Sequence, residues 1–363
     1  MSVILFLLVL FVLILVHEWG HFIVAKKTGM RVDEFAIGFP PRLFGIKKGE
    51  TEYTFNALPI GGFVRIYGEN PDTAKDTLDE PRSFAARPKW AQALVLVAGV
   101  TMNVIFAWFL FVVTFMVGVP TVVDEAVASP EAVLYISGIL PGSPLEAVPA
   151  GSEVLGVESQ GEKLAVLTPS SFSAFIQDHA GEAITVQYAF GAAEPEAVTV
   201  VPVVGLITDE PERVAVGVSL ALAETVRKPL GTALLDATMA TASGLKNITL
   251  GLFGLIADSV RGEADFSQVA GPIGIVGLVG DAASFGLTSL LTFTAIISLN
   301  LAVVNMLPVP ALDGGRLLFV AIEAVTRRPI NPVWSGRLNL IGFALLMLLM
   351  VIVTWNDIVK LFG

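Results

Sequence analysis

Cysteine is absent from this 363-residue chain, which excludes disulfides and thiolate metal ligands. Histidine is nearly absent: only His17, His21 and His179 occur. Charge is also scarce. Charged residues make up 15 % of the chain, against about 25 % in an ordinary soluble domain. Between residues 119 and 226 the only basic residues are Lys163 and Arg213. No basic patch interleaved with aromatics is found, so nucleic acid is excluded as a partner. Any metal in this protein must be held by nitrogen and oxygen.

What is abundant is apolar. Hydrophobic residues reach 54 % and the mean hydropathy is +0.75, the composition of a membrane protein. About 20 helical residues cross a hydrocarbon core. On that measure four spans stand out, at about 2–24, 91–118, 285–307 and 338–355. The first is read as a retained transmembrane helix. It lacks the basic n-region and small-residue cleavage site of a secretory signal, and its apolar run is too long for one. The stretch 230–257 contains "NITLGLFGLIA" but is interrupted by Asp236 and Lys246. It is read as an amphipathic helix lying on the membrane.

Charge asymmetry orients the spans. Eleven lysines and arginines, from Lys26 to Lys89, lie between the first two spans, and Arg316, Arg327, Arg328 and Arg337 lie between the last two. The positive-inside rule puts these loops in the cytoplasm and 119–226 outside. The expected architecture is a polytopic α-helical membrane protein with about four transmembrane helices, a juxtamembrane β-region and one extracytoplasmic α/β domain. The domain reading is 1–118 for the first two spans and the β-region, 119–226 for the outer domain, 227–284 for the interfacial segment and 285–363 for the last two spans.

The β-region is predicted from "EFAIGF", "PRLFGI", "TEYTFNALP" and "GGFVRIYG", with "KKGE" as a hairpin turn. Strand edges in lipid would leave amides unsatisfied, so these strands must be sheltered by protein or line a wet cavity. In the outer segment, "VLYISGIL", "AITVQYAF", "AVTVVPVV" and "RVAVGVSL" read as strands, with a short helix around 169–179.

His17, Glu18 and His21 form H-E-x-x-H inside the first span. On a helix the two histidines are one turn apart and share a face, the spacing of two ligands to one zinc ion, with Glu18 placed to act as general base. Charged groups at the centre of a span cost about 2.5–3.5 kcal/mol each on the insertion scale, so ionisable groups there are functional candidates. A catalytic zinc site has three protein ligands and an open position. With no cysteine, and His179 assigned to the outer surface, the third ligand should be a carboxylate. Asp313 follows a helix broken by Pro308 and Pro310 and precedes Gly314 and Gly315. It is also well suited to cap the helix that follows. The incomplete metal site at matching depth favours the ligand reading.

H-E-W-G-H at 17–21 together with N-x-x-P-x-P-x-L-D-G-G at 305–315 resembles the site-2 protease family of intramembrane zinc metalloproteases, in the bacterial branch that regulates sigma factors. "AIGFPPRLFG" and "LPIGGFVRIYGE" resemble that family's juxtamembrane β-region. "GVTMN" (99–103) resembles its G-x-x-x-N, and "AGPIGI" (270–275) the element before its third span. The resemblance implies one zinc ion held by His17, His21 and Asp313, with Glu18 as general base. It implies that Asn305 and Asn103 hold substrate backbone or the developing oxyanion. A buried amide such as Asn103 could equally serve helix packing. Gly61 and Gly62 are expected to permit a turn or close backbone approach beside the site. The stretch 136–164 resembles a PDZ domain, with Gly151-Ser152 where Gly-Asp is usual.

The expected activity is hydrolysis of peptide bonds in or near transmembrane segments of single-span proteins, such as anti-sigma factors or signal-peptide remnants, in the bacterial cytoplasmic membrane. An unwound substrate would add to a β-edge near 53–67, with the active site toward the cytoplasmic side. The outer PDZ-like domain would meet substrate ectodomains or peptides. A membrane adaptor with a degenerate site and a zinc transporter are the competing classes. The intact motif argues against the first. Ligands converging on one locus argue against the second.

Overall fold

A computed structural model describes residues 1–69, 80–206, 212–263 and 269–362. Lys75, counted above among the basic residues, lies outside them. The chain divides into two compact units. The first comprises Met1–Val112, Leu234–Gly280 and Leu291–Gly363; the second comprises Val113–Ala233 and Asp281–Leu290.

In the first unit, α1 (Ser2–Lys27) is an uninterrupted run of Leu, Val, Ile and Phe up to the motif. Its 26 residues extend about 39 Å at 1.5 Å per residue. It stops at Thr28 and Gly29, where Gly29 takes φ +76°, and Lys26 and Lys27 face the negative end of the helix dipole. After it come β1 (Val32–Lys48) and β2 (Thr51–Ile66), joined at Gly49 and Glu50. The four short runs expected from sequence are two long strands that curl back on each other. Phe35 lies opposite both Val64 and Tyr53, and Ala36 opposite both Phe63 and Thr54. The result is a four-stranded antiparallel order of 42–48, 51–56, 34–37 and 62–66, with the last run at an edge. Phe22 of α1 packs against Phe35 and Tyr53, with ring centroids 5.2 and 6.0 Å apart. The curled sheet is thereby fixed to the motif helix by contacts worth about 0.5–1.5 kcal/mol per aromatic pair.

Next come α2 (Lys89–Val117) and, in the second unit, β3 (Val119–Val123), β4 (Val133–Ile139), β5 (Glu153–Ser159), β6 (Glu162–Lys163), α3 (Pro169–Asp178), β7 (Ile184–Ala189), β8 (Glu196–Val200) and β9 (Val218–Val226). They form one sheet in the order β3-β9-β4-β5-β7-β8, with β6 on β5. Thr168 and Ser171 make a capping box that starts α3, and Phe172, Phe175 and Ile176 of that helix enter a core with Leu134, Ile136 and Ile184.

The rest of the chain carries α4 (Leu230–Arg261), α5 (Pro272–Ser284), α6 (Leu287–Asn305), α7 (Asp313–Thr326) and α8 (Pro332–Phe362). Among the described residues, five helices are long and apolar enough to cross a membrane by length and composition: α1, α2, α4, α6 and α8. That is one more than the hydropathy reading counts, and the addition is α4. Asp236 and Lys246 are single charges in a continuous 32-residue helix, and neither breaks it. Thr238 of α4 accepts a hydrogen bond from Trp108 Nε1 of α2 at 3.0 Å, and Gly244 faces Leu299 of α6. The chain leaves the second unit at Leu234 within α4 and re-enters it at Asp281 near the end of α5.

Asp357 of α8 is buried, 4 % exposed. Its carboxylate accepts from the backbone N–H of Gly271 at 3.0 Å and of Gly274 at 2.8 Å. It thus satisfies amides at the start of α5 that the helix itself leaves unpaired. A side chain at Gly271 would collide with that carboxylate, with a Cβ 2.6 Å from Oδ2.

Candidate active site

His17 and His21 are both buried on one face of α1. Their Nε2 atoms are 3.1 Å apart. Asp313 Oδ2 lies 3.0 Å from His17 Nε2 and 3.3 Å from His21 Nε2. Residues almost three hundred positions apart in sequence therefore converge on one point. Asp313 Oδ2 is itself buried with no hydrogen bond of proper geometry among the described residues. Two imidazole nitrogens and a carboxylate oxygen within 4.8 Å of one another form a nitrogen–oxygen donor set that a divalent cation satisfies and that protein hydrogen bonding does not. The donor set fits zinc.

The connection from α6 to α7 delivers the carboxylate. Leu312 occupies the N-cap position in an extended conformation without a side-chain cap bond, and Asp313 is the first helical residue. The capping role weighed for Asp313 is thus not the one it has. Pro308 and Pro310 lie in the tight turns between α6 and α7. Ala311 takes φ +80°, a left-handed conformation that costs an L-residue about 1–2 kcal/mol, and its N–H donates to Asn339 Oδ1 of α8 at 3.3 Å. Gly314 and Gly315 lie so close under the carbonyls of Met306, Leu307 and Val309 that any Cβ would overlap them. Asn305, the last residue of α6, is partly buried.

The supports of the two rings come from α2. His21 Nδ1 donates to the carbonyl of Val95 at 2.8 Å, which leaves its Nε2 lone pair directed at Asp313. Gly99 lies against both rings: a Cβ there would overlap His21 Nε2 and stand 2.8 Å from His17 Nε2. Asn103 is fully buried, with its amide 3.3 Å from His17 Nδ1. That nitrogen is on the opposite side of the ring from the Nε2 that meets Asp313. The carbonyl of Val95 has no side-chain signature, and sequence reasoning missed it. The four-residue spacing of Val95, Gly99 and Asn103, opposite a histidine pair with the same spacing, is the signal that was available.

Glu18 points elsewhere. Its Oε2 accepts from the backbone N–H of Val64 at 3.1 Å, an outward-facing amide of the 62–66 edge. Gly61, at φ +85°, sets this edge beside α1: a Cβ there would stand 3.2 Å from Ile14 Cδ1. Gly62 is equally tight, with its Cβ position 2.6 Å from the carbonyl of Ala36. A cavity of about 360 Å³ lies along residues 89, 92 and 96 of α2 and 316, 320 and 323 of α7. These are the same helix faces that carry Gly99, Asn103 and Asp313. Lys89 and Glu323 pair across it at 2.6 Å, as do Arg316 and Glu69.

Several membrane-length helices and a buried His–His–Asp cluster beside a glutamate define a polytopic membrane metallohydrolase. The model of peptidase family M50 matches residues 5–349, and the chain belongs to that family, the site-2 proteases. It is similar to the protein CPE1693 of Clostridium perfringens, 36 % identical over 99 % of both chains. It is also similar to the zinc metalloprotease RasP of Oceanobacillus iheyensis, 31 % identical over 99 % of both chains, and to RasP of Geobacillus kaustophilus, 31 % identical over 99 % of this chain and 98 % of that one. This protein is a multi-pass membrane zinc metalloprotease.

Proposed function

We propose that His17, His21 and Asp313 hold the catalytic zinc and that Glu18 is the general base of an intramembrane protease acting on single-span membrane proteins. The observation that carries this reading is the convergence of the three donor atoms, with Glu18 one residue from His17 and bonded to an open strand edge. Bound there, zinc supplies Lewis-acid polarisation of a carbonyl and acidification of water.

The remaining steps belong to the chain's own residues. A transmembrane helix hides its carbonyls until it unwinds, and an unwound segment needs partners for its amides. The 62–66 edge provides them by β-augmentation. An extended segment there lies next to Glu18, whose carboxylate takes a proton from the attacking water and returns it to the leaving amine nitrogen. Asn305 donates to substrate backbone or to the developing oxyanion. Water reaches the site through the cavity between α2 and α7, whose walls carry the Lys89–Glu323 and Arg316–Glu69 ion pairs.

The basic loops support an orientation with this site toward the cytoplasm and the sheet domain outside, in a bacterial cytoplasmic membrane. There the PDZ-like domain would meet ectodomains or peptides and admit substrates already shortened outside. This is the site-2 step of regulated intramembrane proteolysis, on anti-sigma factors or signal-peptide remnants.

The experiment is cleavage of a reconstituted single-span substrate by Glu18→Gln, with zinc measured on the same sample. General-base loss predicts about a 10²–10⁴-fold fall in rate with one zinc per chain retained. Wild-type turnover by Glu18→Gln overturns the proposal.

A further inference from the structure

Both imidazoles in the cluster turn Nε2 inward, so each must use Nδ1 for something else. His21 uses it to donate to the carbonyl of Val95. A carbonyl only accepts, so this ring carries its proton on Nδ1. His17 meets the amide of Asn103 instead, at 3.3 Å from Nδ1, and an amide can either donate or accept depending on which way it is turned.

Chemistry removes the choice. A histidine that gives a metal its Nε2 lone pair carries its proton on Nδ1, and that proton needs an acceptor. Asn103 Oδ1 is buried and has no partner among the described residues, so a half-turn of the side-chain amide presents an acceptor at no cost in shape. The backbone holding this amide is itself fixed. Ser298 Oγ of α6 donates to the carbonyl of Asn103 at 2.8 Å, and both residues are fully buried. Gly99, one turn earlier on the same face of α2, clears the room in which the two rings meet it.

We propose that Asn103 is a positioning residue whose Oδ1 accepts the Nδ1–H of His17, holding that ring in the tautomer and orientation that direct Nε2 toward Asp313. This rests on the reading of His17 as a zinc ligand. It makes α2 the common outer support of both histidines, through a backbone carbonyl for one and a side-chain carbonyl for the other. Asn103 then touches neither substrate nor metal.

The test is a zinc titration of the full chain in detergent against a competing chelator. Asn103→Leu keeps the shape and removes the acceptor, whereas Asn103→Asp keeps an acceptor oxygen. Asn103→Leu should bind zinc about 10–100-fold more weakly, while Asn103→Asp binds at least as tightly as wild type. The thermal midpoints of the two variants in excess chelator should agree, which separates ring support from helix packing. Should Asn103→Leu not yield folded protein, Asn103→Ala is read on the same scale.

Wild-type zinc affinity in the acceptor-free variant overturns the proposal, as does equal weakening in Asn103→Asp. His17→Ala distinguishes the underlying reading. Full zinc binding by His17→Ala would remove His17 from the ligand set. Zinc loss there with wild-type affinity in Asn103→Leu would remove only the role given to Asn103.

Discussion

His21 is held by the backbone of Val95, not by its side chain: Nδ1 donates to the carbonyl at 2.8 Å. Substitution at residue 95 leaves that acceptor in place, so α2 fixes one metal-facing ring through a group that side-chain mutation cannot delete. The vulnerable position on this helix is one turn further on.

Gly99→Ala should damage the site more than its single methyl suggests. The new Cβ would overlap His21 Nε2 and crowd His17 Nε2, and the neighbours are two rings already fixed by α2. The expected result is loss of bound zinc at least tenfold in affinity and a stability cost of about 1–3 kcal/mol for overpacking. Zinc titration and thermal unfolding measure the two effects. Unchanged zinc affinity would show that the rings have room to move.

Asp313→Ala should leave the two histidines without their carboxylate and reduce zinc stoichiometry well below one per chain. Metal analysis after gel filtration measures this. Asp313 is the first residue of α7, so a fall of about 0.3–1 kcal/mol from the lost charge at the helix start is also expected. Full stoichiometry would require another ligand.

Val64→Pro tests the strand edge. The Val64 N–H faces Glu18 rather than β1, the one arrangement in which an edge strand accepts proline. The variant should fold and bind zinc while cleaving transmembrane substrate at least tenfold more slowly, with Val64→Ala near wild type. Equal activity in both would show that substrate does not use this edge.

Glu50 carries a pH prediction. Its carboxylate bridges Arg82, at 2.6 Å, and Lys26 at the end of α1, at 2.7 Å. The hydrogen bonds from Arg82 and then Lys26 hold it down to about 2. A carboxylate depressed in the folded state contributes stability that is fully present above its unfolded pKa. That contribution is lost as pH falls from about 4.5 through about 2. The advantage of wild type over Glu50→Gln should therefore shrink across that window. It should also shrink with salt, because the group is largely solvated. Hydrogen exchange in the β1–β2 turn at several pH values measures it; a constant advantage would contradict the bridge.

The parts of this protein legible in sequence were those governed by one helix or one short spacing. The His17–His21 repeat needs only the pitch of α1, and the apolar runs need only the thickness of a bilayer. The β-region was recognised, but its form was not. Pro40 separates "EFAIGF" from "PRLFGI" locally, whereas tertiary pairing carries β1 through it with register shifts between Phe39 and Phe44. The role of Asn103 was open for a related reason: which ring its amide meets depends on how α2 packs against α1. That α4 has the length and composition of a span was hidden by Asp236 and Lys246, which lower a hydropathy average without ending a helix.

Asp357 caps a helix to which it does not belong. The start of α5 is thus completed by the last turns of the chain, and Lys360 adds a contact to the carbonyl of Val269 at 3.3 Å. The cap of α5 is therefore present only when α8 is packed beside it. Shortening the C-terminus by ten residues would remove no part of the metal cluster, yet would leave a distant helix unclasped.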